Sequence, residues 1–209
     1  MSCTIHLIRH GQTDANAAVP PVLQGQGDYA LNETGRRQAG LLAAAMEAVP
    51  LAAVYSSPLS RARDTAAAVA EPRGLTVRTL DALKEVNVGA WEGLSWDDVL
   101  QTDPQTYARV MKNGGDTPYP NGESYPGVAA RAVPALLELA SRHCGEQIAV
   151  VAHRVVNRCV LATLIGLDMR RSKDLPQDNT SHNVLRGDAS RLQVVTLNDV
   201  SHLGPPTCG

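Results

Sequence analysis

Short apolar runs alternate with longer Ala- and Leu-rich segments along most of this 209-residue chain. The runs predict buried strands, and the longer segments have the length and composition of helices that pack on a sheet. The predicted strands are residues 4–8, 52–56, 75–79 and 147–152, with a late pair at 184–186 and 192–197. We therefore expect an α/β fold, a three-layer sandwich with a mostly parallel central sheet and helices on both faces.

Helix start and stop signals lie between these strands. Asn32 and Thr34 provide caps for a helix that runs to about residue 48, because their side chains accept hydrogen bonds from the first free backbone N–H groups. Pro58 stands at the first position of the next helix, which runs to about residue 69. Further helices are predicted at 95–112, 124–143 and 155–165, and loops at 11–31 and 113–122.

The chain contains no internal repeat, low-complexity tract or linker, so we expect a single domain over residues 1–209. A small cap-like subdomain around residues 86–122 stays open. Apolar residues make up 44% of the chain and Phe is absent, so the core must consist mainly of Leu, Val, Ile and Ala.

The charge of the chain excludes several classes of function. A net charge of -2 gives no general attraction to nucleic acid or to an anionic membrane, so an anion site must be local. No apolar run approaches the roughly 20 residues of a membrane-spanning helix, and the N-terminus has no signal-peptide pattern. We therefore expect a cytoplasmic protein with neither a nucleic-acid nor a membrane partner.

The four cysteines predict reduced thiols rather than disulfides or a zinc site. Cys3, Cys144, Cys159 and Cys208 form no CxxC pair, and no histidine lies near them at zinc-ligand spacing. Free thiols are usual in a reducing compartment.

Cationic and nucleophilic side chains follow two of the predicted strands. Arg9, His10 and Gly11 come directly after the first strand, and His153 comes directly after the strand at 147–152. Ligands of open α/β sheets collect beyond the carboxyl ends of the strands. Arg61, in the first turns of the helix after the second strand, can reach the same rim. The pattern predicts a compact cationic pocket.

These residue types suit phosphoryl transfer. Arginine offers planar, bidentate donors to phosphate oxygens, and a neutral imidazole nitrogen is a nucleophile near neutral pH. The leaving oxygen needs a proton donor, and Glu85 follows the third strand close to the same rim. We therefore take Glu85 as the candidate general acid.

Six sequence blocks stand in order along residues 4–165. They are LIRHGQT (7–13) with Asn16, LNETG (31–35) with Gln38 and Ala39, YSSPL (55–59) with Arg61, Ala62, Thr65 and Ala66, LKE (83–85) with Gly89 and WEG (91–93), PNGES (120–124), and VAH (151–153). In these blocks the chain resembles the phosphoglycerate-mutase-like branch of the histidine phosphatase superfamily. The Arg-His-Gly triplet alone would be a weak signal, but the ordered set is specific.

The resemblance implies a phosphoglycerate-mutase-like fold and a role for each matched residue. His10 would become a phosphohistidine, and Glu85 would donate a proton to the leaving group and later activate water. Gln24 resembles a position that contacts phosphate or substrate. No metal or other cofactor is implied, because the arginines supply the charge that magnesium supplies elsewhere. The phosphoryl group would be held by Arg9, Asn16, Arg61 and His153.

Arg154 departs from the family pattern, which usually has a small residue, often glycine, after the second histidine. The Arg154 backbone N–H can still donate to phosphate while its side chain points outward or over the pocket mouth. We therefore take Arg154, like Gln24, as a candidate substrate contact. Asn16 has an alternative role as a turn cap, and Glu92 is an alternative acid to Glu85.

Three functions follow from this pattern. The leading one is a metal-independent phosphatase that hydrolyses small phosphorylated metabolites through a phosphohistidine. A cofactor-dependent phosphoglycerate mutase is the alternative, but residues 94–121 lack a long basic insertion and carry only Arg109 and Lys112 as cations. A non-catalytic phospholigand-binding domain is less favoured, because the catalytic residue types are all present. The sequence leaves monomer and homodimer open.

Overall fold

The computed structural model of the protein describes residues 1–204, and Cys208 lies outside them. A central six-stranded sheet has the strand order β3-β2-β4-β1-β5-β6. The strands are β1 (Cys3–Arg9), β2 (Leu51–Ser56), β3 (Val77–Thr79), β4 (Gln147–Ala152), β5 (His182–Gly187) and β6 (Leu192–Asp199). The helices are α1 (Asp14–Ala17), α2 (Glu33–Ala45), α3 (Ser60–Ala70), α4 (Trp96–Thr102), α5 (Pro104–Lys112), α6 (Tyr125–Arg142) and α7 (Arg154–Ile165).

The sheet is mixed, with its parallel part at the centre. Strand β4 pairs in parallel with β1 and β2, and β2 pairs in parallel with β3. Strands β5 and β6 continue the sheet in antiparallel pairs. In the β1–β4 register Arg9 lies opposite Ala152, so the two strands end side by side. A histidine follows each strand directly.

Helices cover both faces of the sheet, as the strand–helix alternation predicts. Ile5 and Leu7 of β1 belong to one buried cluster with residues of α6 and α7, whereas Ile8 belongs to a second cluster with residues of α2 and α3. Successive strand residues point to opposite faces. One cluster lies on each face of the sheet, which confirms the three-layer α/β prediction. Both clusters consist largely of aliphatic residues and alanine.

Two predicted segments differ from the structure. The helix expected over 95–112 is split into α4 and α5 at Asp103, whose side chain accepts a hydrogen bond from Thr106 N as the cap of α5. Pro104 follows it and disfavours helical backbone at the residue before it. The loop expected over 11–31 contains the short helix α1, which begins with a capping box between Thr13 and Asn16. Four residues of helix give little periodicity to detect.

Two further features show what the sequence patterns do and do not predict. Gly166 ends α7 in the left-handed conformation, with φ of 70°, as a C-terminal glycine does. A turn of 3-10 helix at Met169–Asp174 is not predicted by any pattern. Within residues 1–204, no helix has both the length and the apolar character needed to cross a membrane. The cap-like role of residues 86–122 stays a prediction.

Candidate active site

A cavity of about 240 Å³ opens beyond the carboxyl end of β1. It brings together most of the candidate residues from distant parts of the chain. Its polar wall includes Arg9, His10, Asn16, Gln24, Arg61, Glu85, Arg154 and Arg158, and its apolar wall includes Val22, Leu23, Val86, Val88, Trp96, Tyr119, Tyr125 and Val155.

His10 is oriented by its own loop. Its Nδ1 lies 2.7 Å from the carbonyl oxygen of Gly11, so Nδ1 carries the proton and donates it. The other ring nitrogen, Nε2, then keeps its lone pair. The backbone is held as well: His10 N donates to Ala152 O (3.1 Å), and His10 O accepts from Thr180 N (3.2 Å) and Asn179 Nδ2 (3.1 Å).

Gly11 follows His10 in a space that admits no side chain. A Cβ at this position would lie 2.6 Å from the carbonyl oxygen of Gly35, well inside van der Waals contact. The Gly11 N–H donates to Thr65 Oγ1 (3.0 Å), and that hydroxyl donates to Arg61 O (2.7 Å). The turn after β1 is therefore fixed against both α2 and α3.

Two buried guanidiniums lie beside His10. Arg9 donates from Nη1 to Gln177 O (2.7 Å), and its Nε has no hydrogen-bond partner within the described residues. Arg61 donates from Nη1 to Gly27 O (2.7 Å) and from Nη2 to Gly25 O (2.8 Å), and its Nε is likewise unpartnered in residues 1–204. Unsatisfied buried donors on cations are costly without an anion.

Burial and these charges set the protonation of the histidine. Burial, followed by the Arg9 and Arg61 charges, holds the pKa of His10 well below its ordinary value. The imidazole is therefore neutral at neutral pH, the state that a nitrogen nucleophile requires. Burial, followed by the Arg154 charge, lowers the pKa of Arg9 to about 9, so that guanidinium remains charged at pH 7.

Glu85 reaches the cavity while it also holds the start of α7. Its Oε1 accepts from Val86 N (2.9 Å) and Val156 N (3.3 Å), and its Oε2 accepts from Val155 N (3.1 Å). A carboxyl at a helix N-terminus satisfies backbone N–H groups that have no partner within the helix. The sequence places Glu85 near the rim but gives no sign of this cap.

An ion pair that the sequence analysis missed anchors the Glu85 segment. Arg131, on α6, donates from Nε and Nη2 to the two carboxylate oxygens of Glu123 (2.8 and 2.9 Å). It also donates to the carbonyl oxygens of Ala82 (2.7 Å) and Glu85 (3.1 Å). The backbone that carries Glu85 is thus bound to a long helix.

His153 lies behind the cavity wall rather than on it. Its side chain is fully buried, and its ring centroid lies 5.1 Å from that of His10. Neither ring nitrogen has a hydrogen-bond partner in residues 1–204. Burial, followed by the Arg61 charge, holds the pKa of His153 well below its ordinary value. Asn157, one turn along α7, is also fully buried with an unpartnered amide among the described residues.

Asn16 and Gln24 border the cavity through a shared hydroxyl. Asn16 Oδ1 accepts from Thr13 N (2.6 Å) and lies 2.7 Å from Thr13 Oγ1, and Asn16 Nδ2 donates to Asn179 Oδ1 (2.9 Å). The Thr13 hydroxyl also lies 3.0 Å from Gln24 Oε1. Asn16 therefore caps α1, the alternative role, while it also lines the cavity.

Glu92, the alternative acid, serves a different contact. Its Oε2 accepts from Gln26 N (2.9 Å), and it is absent from the cavity wall formed by the described residues. It holds the loop that Arg61 also holds through Gly25 and Gly27. This arrangement favours Glu85 over Glu92 as the group that faces a substrate.

Together these groups can bind and transfer a phosphoryl group. A neutral imidazole with a free nitrogen lies beside two guanidiniums, and a carboxyl lies on the same wall. Phosphoryl transfer needs this kind of positioning and charge stabilisation. No group of three or more His, Cys, Asp or Glu side chains in residues 1–204 is arranged to hold a metal ion.

Comparison with known proteins gives a consistent result. The model of the histidine phosphatase superfamily (branch 1) matches residues 5–200. Phosphoserine phosphatase 1 of Hydrogenobacter thermophilus is 32% identical over 95% of this chain and 93% of its own length. A probable phosphoglycerate mutase, GpmB of Yersinia pestis, is 31% identical over 97% and 95%. The solved structure of a mycobacterial glucosyl-3-phosphoglycerate phosphatase superposes with a TM-score of 0.82 at 29% identity, covering 95% of this chain and 99% of that one.

Proposed function

The chain belongs to branch 1 of the histidine phosphatase superfamily, and from this premise we propose that its cavity hydrolyses phosphomonoesters through a phosphohistidine on His10. The family and its phosphatase relatives identify a phosphoric monoester hydrolase of small phosphorylated metabolites. The residues that carry out the reaction, and the order of its steps, are the proposal.

In the first step His10 Nε2 attacks the phosphorus atom of the bound ester. The new P–N bond forms as the P–O bond to the leaving group breaks, and Glu85 gives its proton to the departing oxygen. Arg9 and Arg61 lie beside His10 on the cavity wall, where they stabilise the charge on the non-bridging oxygens. His153 lies against the His10 ring, and neither of its ring nitrogens has a partner in residues 1–204, so one of them can donate a hydrogen bond to the group that His10 carries.

In the second step water replaces the alcohol. Glu85, now ionised, accepts a proton from a water molecule as that water attacks phosphorus and the P–N bond breaks. Inorganic phosphate leaves, and His10 and Glu85 return to their starting states. No step needs a metal, because the two arginines and the histidines supply the positive and hydrogen-bonding groups.

The single observation that supports this proposal most strongly is the anchoring of His10. Its Nδ1 is bound to the Gly11 carbonyl at 2.7 Å, so the ring can use only Nε2 for chemistry. The charges of Arg9 and Arg61 also act on His10, and each of these buried guanidiniums carries an unpartnered Nε among the described residues, so the same place can bind an anion.

The mutase alternative has the same first step but a different acceptor. It needs the leaving group to stay enclosed until it takes the phosphoryl group back. Arg109 and Lys112 lie on α5, and neither belongs to the cavity wall formed by the described residues. The two cations of residues 94–121 therefore do not enclose the leaving group, which favours water over a retained alcohol as acceptor.

Trapping the intermediate tests the proposal. Purified protein in EDTA should release phosphate from p-nitrophenyl phosphate and from phosphoserine, and rapid quenching in base should leave a phosphoryl group on His10 that mass spectrometry locates. His10→Ala should show neither product nor adduct. A metal requirement, or an adduct on another residue, would overturn the mechanism. Rapid conversion of 3-phosphoglycerate to 2-phosphoglycerate in the presence of 2,3-bisphosphoglycerate would favour the mutase. The cytoplasmic location and a homodimer stay predictions.

A further inference from the structure

Two arginines of α7 face the same cavity beyond the phosphoryl site. Arg154 begins the helix and Arg158 follows one turn later, and both belong to the cavity wall. Residues four apart lie on one helix face, with Cβ atoms about 6 Å apart. Arg158 is oriented by a hydrogen bond from its Nε to Leu175 O (2.8 Å). Arg154 is exposed at the mouth.

Neither of these arginines has a protein counter-ion among the described residues. The ion pairs of residues 1–204 involve other basic residues, and neither Arg154 nor Arg158 has a carboxylate within salt-bridge distance in that part of the chain. Like charges four residues apart on a helix repel each other. Burial, followed by the Arg154 charge, lowers the pKa of Arg158, which reports the proximity of the two guanidiniums.

The charge of the cavity exceeds what one phosphoryl group neutralises. Four guanidiniums, those of Arg9, Arg61, Arg154 and Arg158, face the single carboxyl of Glu85. A phosphomonoester dianion at Arg9 and Arg61 offsets that pair of charges. Arg154 and Arg158 then remain without an anion in the cavity.

A larger cavity adjoins the first and shares Arg158 with it. A neighbouring cavity of about 400 Å³ shares Trp96, Tyr119, Tyr125 and Arg158 with the first and adds Lys173 at its edge. The leaving group therefore has room, and its far end meets cations rather than carboxylates. Tyrosine and tryptophan side chains on the opposite wall can pack against its carbon skeleton.

We propose that Arg154 and Arg158 form a second anion subsite, so that the preferred substrates are phosphomonoesters whose leaving group carries a carboxylate or a second phosphate. This inference rests on the proposed function, because it assigns the phosphoryl end to His10, Arg9 and Arg61. Arginine is suited to either anion through its planar, bidentate donors.

Matched substrates that differ in one anionic group test the subsite. Phosphoserine and phosphoethanolamine differ in a carboxylate, and propane-1,3-diol bisphosphate and propyl phosphate differ in a second phosphate. In at least one pair, we expect kcat/KM to be at least tenfold higher for the substrate that carries two anionic groups. The pair with the larger ratio identifies which anion the subsite takes. A ratio near one for both pairs would overturn the proposal.

Variants locate the effect on α7. Arg154→Gln and Arg158→Gln should each lower the preferred ratio at least threefold, and the double variant should bring it close to one. Arg37→Gln, an exposed position of α2, removes the same charge far from the cavity and should leave the ratio unchanged. An equal ratio in the wild type and the double variant would contradict the proposal.

A binding measurement separates this subsite from the catalytic mechanism. In the His10→Ala background, calorimetry should show phosphoserine or the bisphosphate binding at least tenfold more tightly than its singly anionic partner. Arg154→Gln/Arg158→Gln in that background should remove the difference. Selective binding without turnover in the wild type would refute the proposed function and keep the subsite, whereas turnover without selectivity would refute the subsite and keep the function.

Discussion

The two central strands end in the same way and then diverge. Strands β1 and β4 run in parallel register, and each is followed directly by a histidine, His10 or His153. His10 lines the cavity with one ring nitrogen anchored to a carbonyl oxygen, whereas His153 lies behind it, fully buried, with both nitrogens unpartnered in the described residues. The residue that follows differs too: Gly11 has no room for a side chain, and Arg154 extends to the cavity mouth.

This difference shows how one topology yields two environments for a histidine. A strand end supplies a position on the rim, but the tautomer and accessibility of the imidazole depend on the next residues. The tight Gly11 turn folds its carbonyl back onto His10. After His153 the chain enters α7 at once, so its backbone is committed to the helix and the ring is left without such an anchor.

The largest expected effect separates the two histidines by activity. His10→Asn should lower kcat by about 10⁴-fold or more, because the nucleophile is lost. His153→Asn should cost about 10²–10³-fold, comparable to the loss of one transition-state donor. Steady-state kinetics with phosphoserine measure both, and circular dichroism checks that each variant is folded. Equal losses of kcat would contradict the assignment of His10 as nucleophile and His153 as a supporting group.

The next effect concerns Glu85, whose carboxyl binds the first turn of α7, the helix that follows β4. Glu85→Gln removes the acid. Its amide oxygen can still accept from Val86 N and Val156 N in place of Oε1, whereas its NH₂ group replaces the Oε2 that accepts from Val155 N. We expect a loss of about 10²-fold or more with alkyl phosphates and a much smaller loss with p-nitrophenyl phosphate, whose leaving group needs no proton. Equal losses of activity with the two types of ester would argue against an acid role for Glu85.

Below pH 6.5 the two histidines should behave alike. Both have folded-state pKa values well below their ordinary value, so the unfolded chain binds protons that the native state does not, and stability falls as pH falls through about 6.5. Each ring should account for at most about 2 kcal/mol of the loss between pH 7.5 and pH 5. Urea unfolding at both pH values should show a smaller loss in His10→Asn and in His153→Asn. A pH dependence identical to that of the wild type would contradict this linkage.

The smallest effect tests the residue after β1. Gly11→Ala places a Cβ 2.6 Å from the Gly35 carbonyl oxygen, so we expect it to destabilise the fold by about 1–3 kcal/mol. Gly40→Ala is the matched control, because it lies in α2 with no atom within 4 Å of its new Cβ. It should stabilise by about 0.5–1 kcal/mol. Thermal unfolding compares the two, and a neutral Gly11→Ala would show that the turn can relax.

The sequence predicts what is local and misses what depends on distant contacts. Strand periodicity and helix caps predict the layers and place Arg9, His10 and Arg61 near one rim. They do not predict that Glu85 caps α7, because that contact spans 70 residues. The sequence does not predict Arg158 as a cavity residue, because a single helical arginine is usually solvated. Its role is indicated only by the structure, which places it on the same cavity wall as Arg154. The depth of His153 likewise depends on packing from several elements.

The contacts behind Arg9 and His10 also have a consequence for the timing of synthesis. Arg9 is held by the carbonyl of Gln177, 168 residues later, and the His10 carbonyl is held by Asn179, 169 residues later. At roughly 5–20 residues per second, a ribosome needs about 10–30 s to make the intervening chain. His10, the proposed nucleophile, is therefore made well before the residues that hold it in place, and we do not expect a nascent chain to act on phosphate esters before Gln177 and Asn179 have been made.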